Sequence, residues 1–314
     1  MLERGRCLTV RARAKVNLGL EVLSRRSDGY HELLTLLSAI DLADRVTLET
    51  TGSATIEVQC DSAGVPPGPD NLAWRAADVL RREVGVAAGV RIRIDKAIPV
   101  AAGLGGGSAD AGAVLLGLGR LWRVALPRER WQALATTLGM DVPFFLGDGP
   151  ALGSGRGEVL EPLPRHRPVA LVLVNPGFAL PTGEVYGHLE PGDFTGGEAV
   201  RALLAGLAAG PEGIGARLVN GLERPAARLW PGLAEVKAAL LRAGALGAVM
   251  SGSGPTVIGV APSSTAARRI EAGLARRPWR TWVTRTVAGP LLAIAGEAAV
   301  GGTTRRAVWG VAKR

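Results

Sequence analysis

The chain has 314 residues, of which 47% are hydrophobic and 21% charged, so its composition excludes an intrinsically disordered protein and suits one large domain or two lobes. The formal net charge is +9, but 33 of the 37 basic residues are arginines that occur mostly singly or in pairs. Because these charges form no long block and aromatic residues are few, the charge indicates compositional drift rather than nucleic-acid binding.

The chain carries no segment typical of a membrane span or an export signal. No apolar run approaches the roughly 18 residues that a membrane helix needs, and no apolar region follows the N-terminal arginines. The two cysteines, Cys7 and Cys60, form neither a metal-ligand spacing nor a disulfide framework. We therefore expect a cytoplasmic protein with reduced thiols and no metal-binding residues of its own.

Alternating and apolar runs predict short strands interspersed with helices. The predicted strands lie at residues 8–16, 18–23, 45–49, 55–59, 90–94, 168–175, 248–250, 256–260 and 282–287. The predicted helices lie at residues 70–84, 108–121, 127–138, 198–207, 214–227, 233–243 and 264–276. Asp70 is the predicted cap of the first helix, and Ser108 or Asp110 begins the second. Because the two kinds of element mix without regular βαβ alternation, the pattern predicts the α+β class.

A proline-rich stretch divides the chain into two predicted lobes. Three prolines lie between residues 161 and 168, directly before a new strand. We therefore expect an N-terminal lobe over residues 1–163 and a C-terminal lobe over residues 164–287. Residues 288–314 show no clear periodicity and are expected to form a loose tail of unknown role.

The most distinctive motif is the glycine-rich stretch PVAAGLGGGSA at residues 99–109. Because Gly103, Gly105, Gly106 and Gly107 lack a Cβ atom, the backbone can approach a ligand with successive N–H groups pointing into one concavity. The following helix adds the positive end of its dipole, and Ser108 offers a hydroxyl to a phosphate or to Mg²⁺. The stretch is neither a Walker A loop nor a dinucleotide fingerprint. The alternative is a flexible turn in a glycine-rich chain.

A second candidate site combines two polar segments near the N-terminus. Lys15 and Asn17 are two positions apart on a predicted strand, so their side chains face the same way. Lysine is rare in this chain. Its ammonium group is a compact charge with a tunable pKa, and the guanidinium of arginine has neither property. The segment DGYHEL, with Tyr30 and His31, follows. A lysine at a strand edge and an ordinary polar histidine are the equally weighted alternative.

Two further segments contribute a carboxylate and another glycine loop. Asp141 lies between apolar neighbours in GMDVPFF, where it can act as a general base on a hydroxyl. A helix cap is the role that the local pattern alone favours. The loop SGSGPT at residues 251–256 is equally consistent with a hairpin-like turn. An anion site, a cation and a carboxylate together are what phosphoryl transfer requires.

Four segments together resemble the GHMP kinase superfamily over about residues 8–286. They are AKVNLGLEVLSRRSDGYHEL, PVAAGLGGGSADAG, GMDVPFFLGDGPALGSGRGE and MSGSGPTVIG. The resemblance implies a two-lobed α+β GHMP kinase fold with the active site in the cleft between the lobes. DGYHEL and DVPFFL are similar to the branch that phosphorylates the 2-hydroxyl of a cytidine diphosphate-linked methylerythritol in non-mevalonate isoprenoid synthesis. A homoserine-type or mevalonate-type kinase is the alternative within the superfamily.

The resemblance also implies a role for each matched residue. Asp141 would accept the proton of the acceptor hydroxyl, and Lys15 would position that hydroxyl and stabilise the carboxylate charge. The N-terminal lobe would bind ATP through Pro99, Val100, Ala101, Ala102, Gly103, Leu104, Gly105, Gly106, Gly107, Ser108, Ala109, Asn71, Leu72 and Lys96. The acceptor would contact Asn17, Tyr30, His31, Thr182 and Tyr186, with Tyr186 stacked on the cytosine.

The implied partners are ATP with Mg²⁺ and the cytidine diphosphate-linked substrate, without a tightly bound prosthetic group, nucleic acid or membrane. A monomer or a weak homodimer is expected. The loop reads GGGSAD where many members read GGGSSN, so Asp110 brings a negative charge near the helix start and is expected to point away from a phosphate. An RNA-binding protein or a non-catalytic nucleotide binder are the rival hypotheses; the former would show a steep salt dependence.

Overall fold

The computed structural model describes residues 5–299, which form two sheets with helices packed against each. The strands are β1 (Arg6–Arg25), β2 (His31–Thr51), β3 (Ile56–Cys60), β4 (Gly89–Asp95), β5 (Ala151–Ser154), β6 (Val159–Pro162), β7 (Ala170–Asn175), β8 (Val219–Asn220), β9 (Gly247–Met250), β10 (Val257–Val260), β11 (Arg280–Arg285) and β12 (Leu292–Ala299). The helices are α1 (Leu72–Val84), α2 (Gly106–Leu121), α3 (Arg128–Leu138), α4 (Val142–Phe145), α5 (Thr182–Gly187), α6 (Glu198–Gly206), α7 (Gly210–Gly215), α8 (Glu223–Leu229), α9 (Leu233–Arg242) and α10 (Ser264–Leu274). Within the described range, no helix is long and apolar enough to cross a membrane.

The first sheet is built on the long antiparallel hairpin of β1 and β2, joined by a turn at residues 26–30. Its main strand order is β12-β1-β2-β4-β3, and β5 pairs with β2, β6 with β5 and β8 with β1. Three register shifts interrupt the β1–β2 ladder, at Arg13/Lys15, Asn17/Gly19 and Val22/Ser24. Because bulges bend a strand and re-aim its side chains, two of these shifts act on the segment that carries Lys15 and Asn17.

Helix α2 packs against the first sheet and against α1, and most of its side chains are buried. Its apolar residues are not confined to one stripe, as expected for a helix that is enclosed by other elements. A Cβ atom on Gly117 would lie 2.3 Å from Leu48 Cδ1, so this glycine permits close approach of α2 to β2. The helix is thereby packed closely on the sheet that carries Lys15.

The second sheet has the order β11-β7-β10-β9 and is antiparallel throughout. Its centre, β7, is buried at every residue, which explains the continuous apolar run in the sequence. Helices α9 and α10 cover it with Val236, Leu240 and Ile270. The first sheet with its helices forms one lobe, and this second sheet with its helices forms the other.

A separate apolar cluster joins the two sheets. It contains Val16, Leu18 and Leu36 from the first sheet together with Leu171 and Ile258 from the second, all almost fully buried. Since protein interiors are close-packed, this cluster fixes the relative position of the two sheets next to Lys15 and Asn17. The cleft between the lobes therefore has a rigid floor.

Two predicted helix starts differ from the structure. Asn71, not Asp70, caps α1, and its side-chain oxygen accepts a hydrogen bond of 2.8 Å from the Ala73 N–H. Helix α2 begins at Gly106, with Gly105 at the cap position, rather than at Ser108 or Asp110. Glycine has low helix propensity, but packing against the sheet and α1 outweighs it here.

Longer-range pairing explains three further differences. Strand β2 extends from residue 31 although only residues 45–49 were predicted, because its residues 33–40 are buried on both faces and show no alternation. The helix predicted at residues 214–227 is wrong, since β8 interrupts it by pairing with Gly19 and Leu20 of β1. The expected loose tail is also wrong as far as it is described: β12 pairs antiparallel with β1, and Leu291 is fully buried. Residues 300–314 of that tail lie outside the described range.

Candidate active site

A cleft of about 1270 Å³ opens between the two lobes. Its wall includes polar residues from β1 and β2, the start of α2, the segment before α4, helix α5 and the glycine loop between β9 and β10. The residues that the sequence singled out and that line it are Lys15, Asn17, Tyr30, His31, Ala101, Gly103, Gly105, Ser108, Asp141, Thr182 and Tyr186. The fold thus brings most of the predicted site into one cavity.

Lys15 and Asp141 form an ion pair at the floor of the cleft, with 3.3 Å between Nζ and Oδ2. The lysine side chain is only 5% exposed, whereas that of Asp141 is 38% exposed. Asp141 takes the cap position of α4, but its side chain makes no capping hydrogen bond. The carboxylate therefore faces the cleft, and the helix-cap role that the local pattern favoured does not apply.

A chain of hydrogen bonds fixes the orientation of the lysine. Lys15 Nζ donates to Asn17 Oδ1 at 2.8 Å, and Asn17 Nδ2 donates to Thr35 Oγ1 at 2.8 Å. The Thr35 hydroxyl in turn donates to the Gly19 carbonyl at 2.8 Å. Each polar atom in this buried chain has a partner, as burial requires. The ammonium is thus held in one position next to Asp141.

The glycine loop reaches the same point from the other side. The Leu104 carbonyl accepts a hydrogen bond of 2.9 Å from the Lys15 N–H, which ties the loop to β1. Gly103 and Gly105 have φ of +75° and +69°, values that favour glycine. A Cβ atom on Gly105 would lie 2.9 Å from Lys15 Cγ, so this position also needs glycine for space.

The start of α2 borders the cleft, where Gly105 and Ser108 are part of the lining. The first N–H groups of a helix and its dipole favour an anion. Among the other predicted ATP residues, Ala102 and Leu104 are buried in the core that joins the lobes. They can contribute to a ligand site through their backbone only.

A second glycine loop completes the cleft at residues 252–254. Ser251 precedes it and is fully buried. Its hydroxyl donates to the Gly103 carbonyl at 3.0 Å and accepts from the Asn17 N–H at 3.3 Å. Asn220, which the sequence did not single out, donates to the carbonyls of Met250 and Gly252 at 2.8 Å each. The C-terminal lobe therefore supports both β1 and the first glycine loop, which contains Gly103.

Three residues predicted at the adenine end of ATP lie outside the main cleft. The Asn71 side chain caps α1 and donates to the Pro66 carbonyl at 2.9 Å. Leu72 Cδ1 lies 3.7 Å from the Cβ position of Gly107. Lys96 lines a smaller neighbouring cleft of about 560 Å³ together with Pro99 and Val100. Their contact with ATP stays a prediction.

Lys96 belongs to a buried ion cluster that the sequence did not reveal. Its Nζ lies 2.5 Å from Asp44 Oδ2 and 2.9 Å from Asp110 Oδ2. Burial raises the pKa of Asp110 to about 7, and Lys96 offsets only part of that rise. Burial alone would lower the pKa of Lys96. The two neighbouring carboxylates have the larger combined effect, so the pKa of Lys96 is raised above its ordinary value. The Asp110 carboxylate therefore faces Lys96.

Aromatic residues line the opposite end of the cleft. The rings of His31 and Tyr186 are 5.2 Å apart at an interplanar angle of 32°, and Phe194, which was not predicted, lies 6.1 Å from His31. Burial, with a smaller contribution from Arg25, lowers the pKa of His31, so its ring is neutral at pH 7 and can both donate and accept. Burial, together with the charge of Asp141, raises the pKa of Tyr186.

The protein-family model described as GHMP kinases N terminal domain matches residues 71–149. The one described as GHMP kinases C terminal matches residues 202–281. The 4-diphosphocytidyl-2-C-methyl-D-erythritol kinase of Pelotomaculum thermopropionicum is 46% identical over 283 residues, which cover 89% of this chain and 98% of that protein. The kinase of the same name from Geobacter sulfurreducens is 42% identical over 280 residues and covers 89% and 99%.

Solved structures agree with these relatives. A crystal structure of 4-(cytidine 5'-diphospho)-2C-methyl-D-erythritol kinase superposes with a TM-score of 0.78 at 43% identity, and covers 89% of this chain and 99% of that one. Homoserine kinase from Cytophaga hutchinsonii shares the fold with a TM-score of 0.74 at 21% identity, over 92% and 97% of the two chains. The two-lobed fold is that of the GHMP kinases, and the protein is a small-molecule kinase. By these identities, the chain belongs to the 4-diphosphocytidyl-2-C-methyl-D-erythritol kinase family of the GHMP kinases.

Proposed function

We propose that the protein transfers the γ-phosphoryl group of ATP to the 2-hydroxyl of 4-diphosphocytidyl-2-C-methyl-D-erythritol, in the non-mevalonate isoprenoid route. The observation that carries the proposal is the Lys15–Asp141 ion pair, which lies in one cleft with the start of α2 and an aromatic wall. Two relatives at 42% and 46% identity are named 4-diphosphocytidyl-2-C-methyl-D-erythritol kinase, which supports this acceptor over homoserine or mevalonate.

In the proposed reaction, Asp141 accepts the proton of the acceptor hydroxyl as its oxygen attacks the γ-phosphorus. The new P–O bond forms while the bond to the β-phosphate oxygen breaks, which yields the phosphorylated acceptor and ADP. Asp141 is half exposed and can meet the hydroxyl, whereas Lys15 is buried and fixed. Its ammonium then positions the hydroxyl oxygen and stabilises the negative charge that develops there.

The glycine loop and the start of α2 would hold the ATP phosphates through backbone N–H groups. Ser108, at the cleft wall, adds a hydroxyl. Mg²⁺ would enter with ATP, because this ion usually keeps several waters and binds through substrate phosphates. Among the residues that the structure describes, no group of three or more His, Cys, Asp or Glu side chains could hold a metal ion.

The aromatic end of the cleft would bind the cytosine ring. Tyr186 would stack on it, and His31 would hydrogen-bond its edge, with Tyr30 at the opening. Thr182 contacts Ser253, with 2.9 Å between the two hydroxyl oxygens, and would border the rest of the acceptor. Asn17, next to Lys15, would contact the part of the acceptor that reacts.

We also propose that the N-terminal lobe, residues 1–163, binds ATP and that residues 164–287 form the substrate-side lobe. We further propose a cytoplasmic monomer or weak homodimer that acts without nucleic acid or membrane. Sedimentation of the purified protein at increasing concentration tests the oligomeric state, and sedimentation with added RNA tests whether the protein binds nucleic acid.

The decisive experiment is a phosphate-transfer assay with Mg-ATP and a panel of acceptor alcohols. We expect turnover with 4-diphosphocytidyl-2-C-methyl-D-erythritol and little with homoserine or mevalonate. Product analysis by ³¹P NMR should show one new phosphomonoester on the acceptor. Turnover that prefers homoserine or mevalonate would overturn the proposed acceptor and leave the kinase class intact.

A further inference from the structure

Arg156 lines the cleft but has no part in the proposed phosphate transfer. Its guanidinium carbon lies 5.0 Å from the centroid of the Tyr30 ring. A guanidinium within about 6 Å of an aromatic face is attracted to the ring and stacks on it. Tyr30 is 53% exposed, so packing against the protein core does not hold its ring.

The guanidinium itself is fixed from the turn between β5 and β6. Arg156 Nε donates to Glu158 Oε1 at 3.1 Å, and its backbone N–H donates to Glu158 Oε2. The Gly155 N–H donates to Glu32 Oε1 at 2.9 Å, which ties the turn to the start of β2. Because Glu32 follows Tyr30 by two positions, the cation and the ring are held on one framework.

The backbone of Tyr30 is likewise constrained, although its ring is not. The Tyr30 N–H donates to Asp28 Oδ1 at 3.1 Å, and its carbonyl accepts from the Arg26 N–H at 2.8 Å. These contacts fix where the side chain leaves the main chain. Beyond that point, the guanidinium of Arg156 lies over the ring.

We propose that Arg156 is a positioning residue that strengthens binding of the nucleobase of the acceptor, by holding the Tyr30 ring as an ordered stacking surface. This inference rests on the proposed function. A side chain that is ordered before binding spares the ligand the cost of immobilising it. For an exposed cation–π pair, the expected gain in affinity for the base is about two- to fivefold.

The rival role for the same residue is direct attraction of the acceptor's diphosphate. The two roles differ in which part of the ligand they need. Stacking through Tyr30 acts on the base and is independent of phosphate, whereas charge attraction acts on phosphate and weakens with salt. Cytidine and cytidine diphosphate, used as separate probes, therefore distinguish the two roles.

The test is equilibrium binding of cytidine and of cytidine diphosphate to the full chain, by calorimetry or ligand-observed NMR. Arg156→Ala should weaken both ligands by the same factor, about two- to fivefold. In a Tyr30→Ala background, Arg156→Ala should cause no further loss, because the residue acts through that ring. The matched control is Arg165→Ala, which removes the same charge at an exposed position that does not line the cleft.

Kinetics supply a second measurement. Arg156→Ala should raise KM for the acceptor while kcat, KM for ATP and the unfolding temperature stay unchanged. A loss confined to cytidine diphosphate, unchanged affinity for both probes, or additive losses in the double variant would each overturn the inference. A wild-type protein that binds neither probe would instead contradict the proposed acceptor.

Discussion

Lys15 Nζ lies 3.3 Å from Asp141 Oδ2, with the lysine buried and the carboxylate half exposed to the cleft. The ammonium is held in place by Asn17, so it cannot follow a substrate. The carboxylate, by contrast, is accessible to an incoming hydroxyl. This asymmetry supports the proposal that Asp141 accepts the proton and Lys15 positions the hydroxyl, and the first prediction tests it.

Asp141→Asn should lower kcat by about 10²- to 10⁴-fold, since an amide has no carboxylate to accept the hydroxyl proton. ATP affinity should remain close to that of the wild type, because the phosphates are expected at the glycine loop. Steady-state kinetics and ATP titration measure the two quantities. Asp148→Asn, at an exposed position outside the cleft, is the matched control. Near-normal turnover of the Asp141 variant would remove this residue from the mechanism.

Gly105→Ala should impair both ATP binding and turnover. A Cβ atom there would lie 2.9 Å from Lys15 Cγ and 3.1 Å from Phe145 Cζ, at a φ of +69°. The variant must therefore shift the loop or displace the Lys15 side chain, and strain of this kind costs on the order of 1–3 kcal/mol.

The control for Gly105→Ala is Gly149→Ala, because a Cβ atom at Gly149 would meet nothing within 4 Å. Nucleotide titration and kcat, measured together with the unfolding temperature, separate a local effect from general instability. If Gly105→Ala binds ATP and turns over like Gly149→Ala, the loop does not hold the nucleotide at that point.

Tyr186→Ala should raise KM for the cytidine-linked acceptor much more than KM for ATP. The ring packs against His31 at 5.2 Å, and loss of an aromatic stacking surface typically costs a base about 1–3 kcal/mol. Tyr186→Phe keeps the ring and should stay near the wild type. Steady-state kinetics with each substrate varied in turn measures the two KM values, and equal changes in both would contradict a stacking role.

The buried carboxylate of Asp110 makes stability depend on pH. Its pKa is raised by burial from 3.8 to about 7, so between these values the folded state holds the proton more tightly than the unfolded state. The free energy of unfolding therefore decreases as pH rises through this window, and the loss is complete above about pH 7.

Asp110→Asn removes this titration and keeps the shape of the side chain. In urea unfolding, the variant should gain about 1–3 kcal/mol relative to the wild type between about pH 5 and pH 8. Exposed Asp148 again provides the control substitution. A difference between Asp110→Asn and the wild type that does not change with pH would show that Asp110 keeps the same charge across this range.

Local patterns predicted much of the fold because they reflect local physics. The apolar run of β7, the α9 helix and the glycine loop were all located to within a few residues. Patterns failed where long-range pairing decides the structure. Strand β12 lacks a recognisable period and forms because β1 offers it an edge, and β8 interrupts a helical pattern for the same reason.

The site shows the same division. Lys15, Asp141 and the glycines could be singled out because each residue type is chemically unusual in its local context. Asp44 and Asn220 could not, since a lone aspartate or asparagine carries no local signal until the chain folds. Asp44 is recognised by its contact with Lys96, and Asn220 by its hydrogen bonds to the carbonyls of Met250 and Gly252.

The sequence by itself determined the class of chemistry through four segments that resemble the GHMP kinases, whereas the residue types and spacing alone left structural alternatives open for Lys15 and Asp141. Only the tertiary structure decided that Lys15 and Asp141 meet at 3.3 Å, that Asp110 faces Lys96 and that Arg156 stacks on Tyr30. Distances of this kind arise when segments far apart in the chain pack together, and their energies depend on burial that no local pattern encodes.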